Sequence, residues 1–281
     1  MKINKDQTSL SKFKTGMFHY YRAQGHIAAY IANRIRWHWY PRFRFVCAFP
    51  DHVDIEISSA CNMQCPMCYT ITDEFKKRVQ KQFMDLSLFT KLVAECADNR
   101  IYSIRISLRG EPFIHPDVIP MIRYAKQAGI KEISALTNAL ALTPELFAKA
   151  MEAGLSWLTI SFDGLGETYE GIRKPARFAD ALAKIKEYHR IKKNAGSIKP
   201  VIKIQTVWPA IKNNAQEYFE TFAPYVQGIA VNPLIDYLHK DDRIEYIRDF
   251  VCPVLYQRLV IGSDGIALLC SNDEFCLHAV G

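Results

Sequence analysis

The sequence predicts an α/β fold in which parallel strands alternate with helices, closed as a barrel or partial barrel rather than spread as an open doubly wound sheet. Three observations carry this. Six short apolar or β-branched runs alternate with longer stretches whose apolar residues recur at i, i+3 and i+4. No G-x-G-x-x-G turn follows the first strand. Three cysteines crowd the loop behind that same strand.

In chain order, strands are expected at Val53–Ser58, Tyr102–Leu108, Glu132–Leu136, Trp157–Phe162, Val201–Val207 and Gly228–Val231. Helices are expected near Leu86–Asn99, Asp117–Ala128, Pro144–Ala153, Arg177–Asn194 and Asn213–Phe222. Asp85 and Thr143 suit N-caps, Pro144 suits a first helical turn, and Gly129 and Gly154 follow helix ends. Strand–helix units of this kind imply right-handed crossovers. From His239 to Asp249 the chain turns polar and charged, and Arg258–Cys270 reads as a hairpin with Ser-Asp-Gly at its turn. The reading divides the chain into a basic N-terminal arm (1–50), a core barrel (51–236) and a small cysteine-bearing extension (237–281).

Composition bounds the function classes. The 281 residues are 49% hydrophobic and 23% charged, an ordinary globular balance that excludes collagen, coiled coil and a largely disordered chain. No membrane span and no signal peptide is visible. The net charge is +7, and the first 50 residues carry nine basic side chains against Asp6 alone. A basic arm on a neutral body points to solubility or to an anionic surface rather than to a nucleic-acid-binding core. Within the arm, Ile27, Ile31, Ile35 and Trp39 define one apolar stripe on a helix, with Arg22, Arg34, Arg36, Arg42 and Arg44 around or behind it. The stripe either packs on the barrel or, with the basic residues around it, makes peripheral, salt-sensitive contact with an anionic membrane or another polyanion.

Eight cysteines stand at 47, 61, 65, 68, 96, 252, 270 and 276. Without a secretory signal, clustered cysteines read as metal ligands before disulfides. Cys61, Cys65 and Cys68 form C-x3-C-x2-C, a spacing that eight randomly placed cysteines would produce in about 0.6% of shuffles. Three thiolates on one short loop can hold three irons of a [4Fe–4S] cluster and leave the fourth open. Structural zinc usually takes four closed ligands, and the nearest histidine, His52, is separated from the triad by the strand. Cys47 and Cys96 read as small hydrophobic side chains.

On these residues the chain resembles the radical S-adenosylmethionine (radical SAM) superfamily, whose C-x3-C-x2-C loop follows the first strand of a partial (β/α)6, TIM-like barrel. Further motifs agree in order. Arg109-Gly110-Glu111-Pro112 resembles the family's Gly-Gly-Glu-Pro, with Arg109 in place of the first glycine, and Thr137-Asn138-Ala139 resembles Thr-Asn-Gly. Ser161 and Arg173 resemble the pair that holds the cofactor carboxylate in relatives with extra clusters, and a hydroxyl and a guanidinium suit that anion. Met67 occupies the position of an adenine-lining aromatic. The resemblance thus implies cofactor contacts at Met67, Gly110, Glu111, Pro112, Thr137, Asn138, Ser161 and Arg173. Cys252, Gly265 and Cys270, spaced C-x12-G-x4-C, look like the start of a SPASM or twitch extension, with Cys276 as a third ligand of an auxiliary iron–sulfur cluster. A fourth ligand is missing where relatives continue with more cysteines, so either the auxiliary site is incomplete, or a fourth ligand comes from elsewhere, or the chain is truncated.

The resemblance implies an enzyme that cleaves S-adenosylmethionine to a 5′-deoxyadenosyl radical, which abstracts hydrogen from a peptide side chain or a sugar-like small molecule. A reductant such as flavodoxin or ferredoxin is the implied partner, and the oxygen-sensitive cluster that the resemblance implies fits a reduced cytoplasm. The alternatives are a non-catalytic iron–sulfur or zinc-stabilised protein, which needs the cysteines but not Glu111, Ser161 or Arg173, and an inactive fragment of a longer enzyme.

Overall fold

A computed structural model describes residues 7–8, 12–234 and 248–281. Most of the charged stretch His239–Asp249, and the boundary expected at 236/237, lie outside the described residues.

Six strands run parallel in chain order: β2 (His52–Ile55), β3 (Ser103–Arg105), β4 (Glu132–Thr137), β5 (Trp157–Ser161), β6 (Val201–Val207) and β7 (Gly228–Asn232). Short β1 (Gln7–Thr8) pairs antiparallel with β7 at one edge. At the other edge β8 (Arg258–Ile261) adds parallel to β2, in the register His52 to Arg258, and carries β9 (Ala267–Leu268) antiparallel to it. The strand order is linear, so the barrel is partial and open.

Crossover helices cover the outside, and their buried positions follow the sequence periodicity. In α4 (Leu86–Asp98) these are Phe89, Val93 and Cys96; in α5 (Val118–Gln127), Val118, Met121, Ile122 and Ala125; in α6 (Pro144–Ala153), Phe147, Ala150 and Ala153. The outer layer continues with α7 (Gly166–Ile172), α8 (Phe178–Asn194) and α10 (Ala215–Phe222), while the short α3 (Asp73–Arg78) precedes α4 and the short α9 (Trp208–Ile211) follows β6. Thr143 caps α6 by accepting from the Leu146 amide at 3.2 Å, and Gly154 ends it at φ +110°. Asp85 stands at the N-cap of α4 without a side-chain hydrogen bond.

The strands alternate in a way that decides what the barrel can hold. Val53, Ile55, Ile104, Ile133, Leu158, Ile160, Ile202 and Ile204 join the apolar core. The intervening positions, such as His52, Arg105, Glu132, Thr159 and Gln205, line cavities on the other face of the sheet. The lumen is therefore polar, and the hydrophobic stabilisation resides between sheet and helices.

The N-terminal helices α1 (Lys12–Ala23) and α2 (Ile27–Trp39) lie against the lower, N-terminal end of the strands. Arg22 donates from Nε and Nη2 to both oxygens of Glu132 at 2.9 and 2.7 Å, and Tyr30 packs on Tyr102. The Ile27, Ile31, Ile35 and Trp39 stripe does not pack on the barrel, because these side chains are each about half exposed, 47 to 53%. A different face, with Tyr30 and Asn33 buried, meets the protein. The physical reason is the polar lumen: the end of the barrel that α2 covers calls for aromatic and hydrogen-bonding side chains rather than aliphatic ones.

Candidate active site

The cysteine loop, the Gly110-Glu111 turn, the Thr137-Asn138 turn and Ser161 all emerge from the C-terminal ends of successive parallel strands, where α/β barrels place their chemistry. They line one cavity of about 300 Å³ together with Met67, Arg173, Leu136 and Gln205. Pro112, the last residue of the Gly-Glu-Pro motif, is buried at the first position of a short 3-10 turn behind it.

Local interactions hold the three thiols in place. The Cys68 amide donates to the Cys65 carbonyl at 2.9 Å, and Cys68 Sγ lies 3.0 Å from Thr70 Oγ1. Asn138 Nδ2 donates to Cys61 Sγ at 3.6 Å, and Arg173 Nη1 to Cys65 Sγ at 3.7 Å. Burial pushes the Cys61 and Cys65 thiols up, with Arg173 opposing the shift at Cys65. Among the described residues, no three His, Cys, Asp or Glu side chains come together as ligands of a single metal ion. Three cysteine side chains from one short loop that line a shared cavity can serve as three corners of a [4Fe–4S] cluster and leave the fourth iron open.

Glu111 is fully buried. Its Oε1 accepts from Thr137 Oγ1 at 2.6 Å and the Phe113 amide at 3.1 Å, and its Oε2 accepts from the Asn138 amide at 2.7 Å. Burial raises its carboxyl to about 7 despite these donors, so it is poised to gain a cationic partner. Gly110 permits the turn: a Cβ there would come within 3.0 Å of the Ser58 and Ala60 carbonyl oxygens. Ala139 stands at φ +60°, a left-handed conformation that the glycine of a Thr-Asn-Gly motif adopts without strain.

Arg173 is 15% exposed, so it is no surface arginine. Its Nε donates to Asp163 Oδ2 at 2.7 Å, and Nη2 pairs with the same carboxylate. Asp163 Oδ1 in turn accepts from the Val207 amide at 2.9 Å and Thr206 Oγ1 at 3.2 Å. Sequence reading passed over Asp163 as a positioning group, although a buried acid at a strand end is the available signal. It also passed over Glu56. That residue takes the Arg109 guanidinium through Nε at 2.7 Å and Nη2, and the Arg109 amide at 3.1 Å. The signal was the Val53-Asp54-Ile55-Glu56-Ile57 alternation, which marks acids pointing into a lumen.

Arg109, in place of a motif glycine, also reaches the C-terminal segment, donating from Nη1 to Cys276 Sγ at 2.6 Å. Cys270 Sγ accepts the Asn272 amide at 3.4 Å. Cys96 is buried in α4 and Cys47 is partly exposed.

The family model described as "Radical SAM superfamily" matches residues 55–208, more than half of the chain. The chain belongs to the radical SAM superfamily. Radical SAM relatives include GTP 3',8-cyclase of Chlorobaculum tepidum, 34% identical over 130 residues, covering 46% of this chain and 38% of that protein. A tungsten-containing aldehyde ferredoxin oxidoreductase cofactor-modifying protein of Pyrococcus furiosus is 28% identical over 185 residues, covering 64% and 49%. The matches thus span less than half the length of these relatives. Among solved structures, Streptococcus suis SuiB bound to S-adenosylmethionine aligns with a TM-score of 0.59 at 15% identity, covering 86% of this chain and 63% of that one. BtrN in complex with AdoMet and 2-DOIA aligns at 0.56 and 16% identity, covering 83% and 78%. These structures share the partial radical SAM barrel.

Proposed function

We propose that the protein is a radical SAM enzyme whose Cys61, Cys65 and Cys68 hold a [4Fe–4S] cluster, with S-adenosylmethionine bound beside it. The observation that supports this best is the convergence of the three thiols, Glu111, Asn138, Ser161 and Arg173 on one cavity at the strand ends. When bound, the cluster and cofactor supply a radical that abstracts an unactivated hydrogen. The chain's own residues bind and orient. Glu111 offers a buried carboxylate to the cofactor's amino group, and Ser161 and Arg173 offer a hydroxyl and a guanidinium to its carboxylate. Gly110 and Pro112 shape the turn that carries Glu111, Thr137 and Asn138 hold that carboxylate by hydrogen bonds, and Met67 offers a thioether to the adenine.

A reductant such as flavodoxin or ferredoxin, and a peptide or sugar-like substrate, belong to the same reading, as does a cytoplasmic site of action. Cys252, Cys270 and Cys276 remain the proposed ligands of an auxiliary cluster in a SPASM or twitch-like extension; burial pushes the Cys276 thiol up, and the Arg109 guanidinium beside it opposes that shift. The exposed α2 stripe continues into exposed Phe43, Phe45, Val46 and Phe49 beside Arg42 and Arg44, which supports peripheral contact with an anionic bilayer.

Anaerobic reconstitution with iron, sulfide, a reductant and S-adenosylmethionine tests the catalytic reading. Wild type is expected to bind about four irons at the triad and release 5′-deoxyadenosine. Replacing Cys61, Cys65 and Cys68 together by alanine should abolish both. Zinc in place of iron in anaerobically purified wild type, or undiminished cleavage in the triple variant, refutes it.

A further inference from the structure

Helix α8 reaches the loop between β4 and α6 with two side chains that no cofactor contact accounts for. Lys184 and Tyr188 stand one turn apart on the helix and so share a face. Lys184 Nζ donates to the Ala139 and Leu140 carbonyls at 3.1 and 2.7 Å, and Tyr188 Oη donates to the Leu142 carbonyl at 2.5 Å. Tyr188 is fully buried and Lys184 half-buried. Holding a lysine ammonium on backbone carbonyls costs side-chain freedom and hydration, so what this loop carries decides what the contact does.

The loop carries a chain of hydrogen bonds that ends at a cysteine of the triad. The Ala139 carbonyl and the Leu140 N–H belong to one peptide unit. That N–H donates to Asn138 Oδ1 at 2.8 Å, while Asn138 Nδ2 donates to Asn62 Oδ1 at 2.9 Å and to Cys61 Sγ at 3.6 Å. A cation on the carbonyl polarises the peptide and strengthens its N–H as a donor, and an amide whose oxygen accepts is in turn a better donor at its nitrogen. Orientation follows from the same bonds. With Oδ1 fixed by Leu140, the NH2 end of Asn138 faces the cysteine loop; turned end for end, the amide would set its oxygen against a thiolate. The backbone that allows this is itself constrained, since Ala139 stands at φ +60° and Lys184 holds its carbonyl there.

We propose that Lys184 is a positioning residue: by fixing the Ala139–Leu140 peptide it keeps the Asn138 nitrogen toward Cys61, and thereby raises the reduction potential of a cluster ligated there. A hydrogen bond to a ligand sulfur favours the reduced, more negative cluster, so losing it makes reduction harder. The inference rests on the radical SAM reading of Cys61, Cys65 and Cys68.

Potentiometric titration of the reconstituted full chain, followed by electron paramagnetic resonance of the reduced cluster, tests it. Lys184→Met is expected to make reduction about tenfold less favourable, a shift of about 59 mV to more negative potential for one electron. Lys184→Arg, which keeps charged donors on the two carbonyls, should restore the wild-type value. Tyr188→Phe removes the neighbouring tether at Leu142 without touching the Asn138 peptide, so it should lower the urea midpoint and leave the potential unchanged. In an Asn138→Ala background Lys184→Met should add no further shift, because the effect passes through that amide. Circular dichroism and iron content establish that each variant is folded and loaded; if Lys184→Met is not, Lys184→Gln replaces it with the same sign expected. A wild-type potential in the folded, loaded Lys184 variant overturns the proposal. So does an equal shift in Tyr188→Phe, or an undiminished Lys184 effect without the Asn138 amide. Wild type that assembles no cluster at the triad overturns the radical SAM reading and this inference with it, whereas a cluster whose potential ignores Lys184 overturns this inference alone.

Discussion

Single residues decide whether the cofactor cavity can work. Glu111 is the clearest case, since burial raises its carboxyl from 4.5 to about 7. A cationic amine needs the ionised form, so S-adenosylmethionine affinity should fall as pH drops below about 7 and level off above it. Equilibrium dialysis between pH 6 and 8 checks the slope, and Glu111→Gln should remove it while weakening binding about tenfold to a hundredfold. The same shift has a cost in stability. A group protonated more readily in the fold than in the unfolded chain contributes stability at low pH that is lost as pH rises from 4.5 through about 7. Backbone demands are equally local. Gly110→Ala should destabilise by at least ~1–3 kcal/mol, because its Cβ meets carbonyl oxygens that cannot yield. Ala139→Gly, at φ +60°, should be neutral or stabilising. Urea denaturation midpoints separate the two.

Helix α2 shows how one element serves two environments. Its Tyr30 and Asn33 are buried against the protein, while Ile27, Ile31, Ile35 and Trp39 form a half-exposed row. Sedimentation with vesicles containing phosphatidylserine should therefore carry the protein down at low salt, and less so at high salt, with little binding to neutral vesicles. Replacing Ile31 and Ile35 with serine should reduce the pelleted fraction by tenfold or more, each lost apolar contact being worth ~1.5–3 kcal/mol. The folded core should be unaffected, because neither side chain reaches it. Equal recovery in all supernatants would leave the stripe without this role.

On the scale of the whole molecule, the C-terminal segment is built into the sheet. Strand β8 extends the β2 edge over four registered pairs, Ser263 donates its amide to Glu56 at 3.2 Å, and Cys276 takes a hydrogen bond from Arg109. Truncation after Pro253 removes all of these and leaves β2 as an open edge. The truncated chain should melt lower and aggregate sooner on heating, as differential scanning calorimetry and light scattering would record. It should also bind S-adenosylmethionine more weakly, since Arg109 flanks Gly110 in the turn that carries Glu111.

Local pattern was enough for much of this protein. The six parallel strands, the crossover helices and the thiol triad with its companion motifs are legible in order along the chain, because strand alternation, helical periodicity and ligand spacing all act over a few residues. What only the tertiary structure decided depends on long-range juxtaposition. Asp163 orients Arg173 from ten residues away, Glu56 holds Arg109 across 53, and β8 finds β2 across some 200. The α2 stripe belongs to the same class, because an amphipathic pattern specifies a face without specifying which face a polar barrel end will accept. The lower cavity of the lumen could not be read at all in one dimension: Arg22, Arg34, Arg105, Lys203 and Arg258, which line it, come from α1, α2, β3, β6 and β8, and only the curling of the sheet around a polar lumen brings them together.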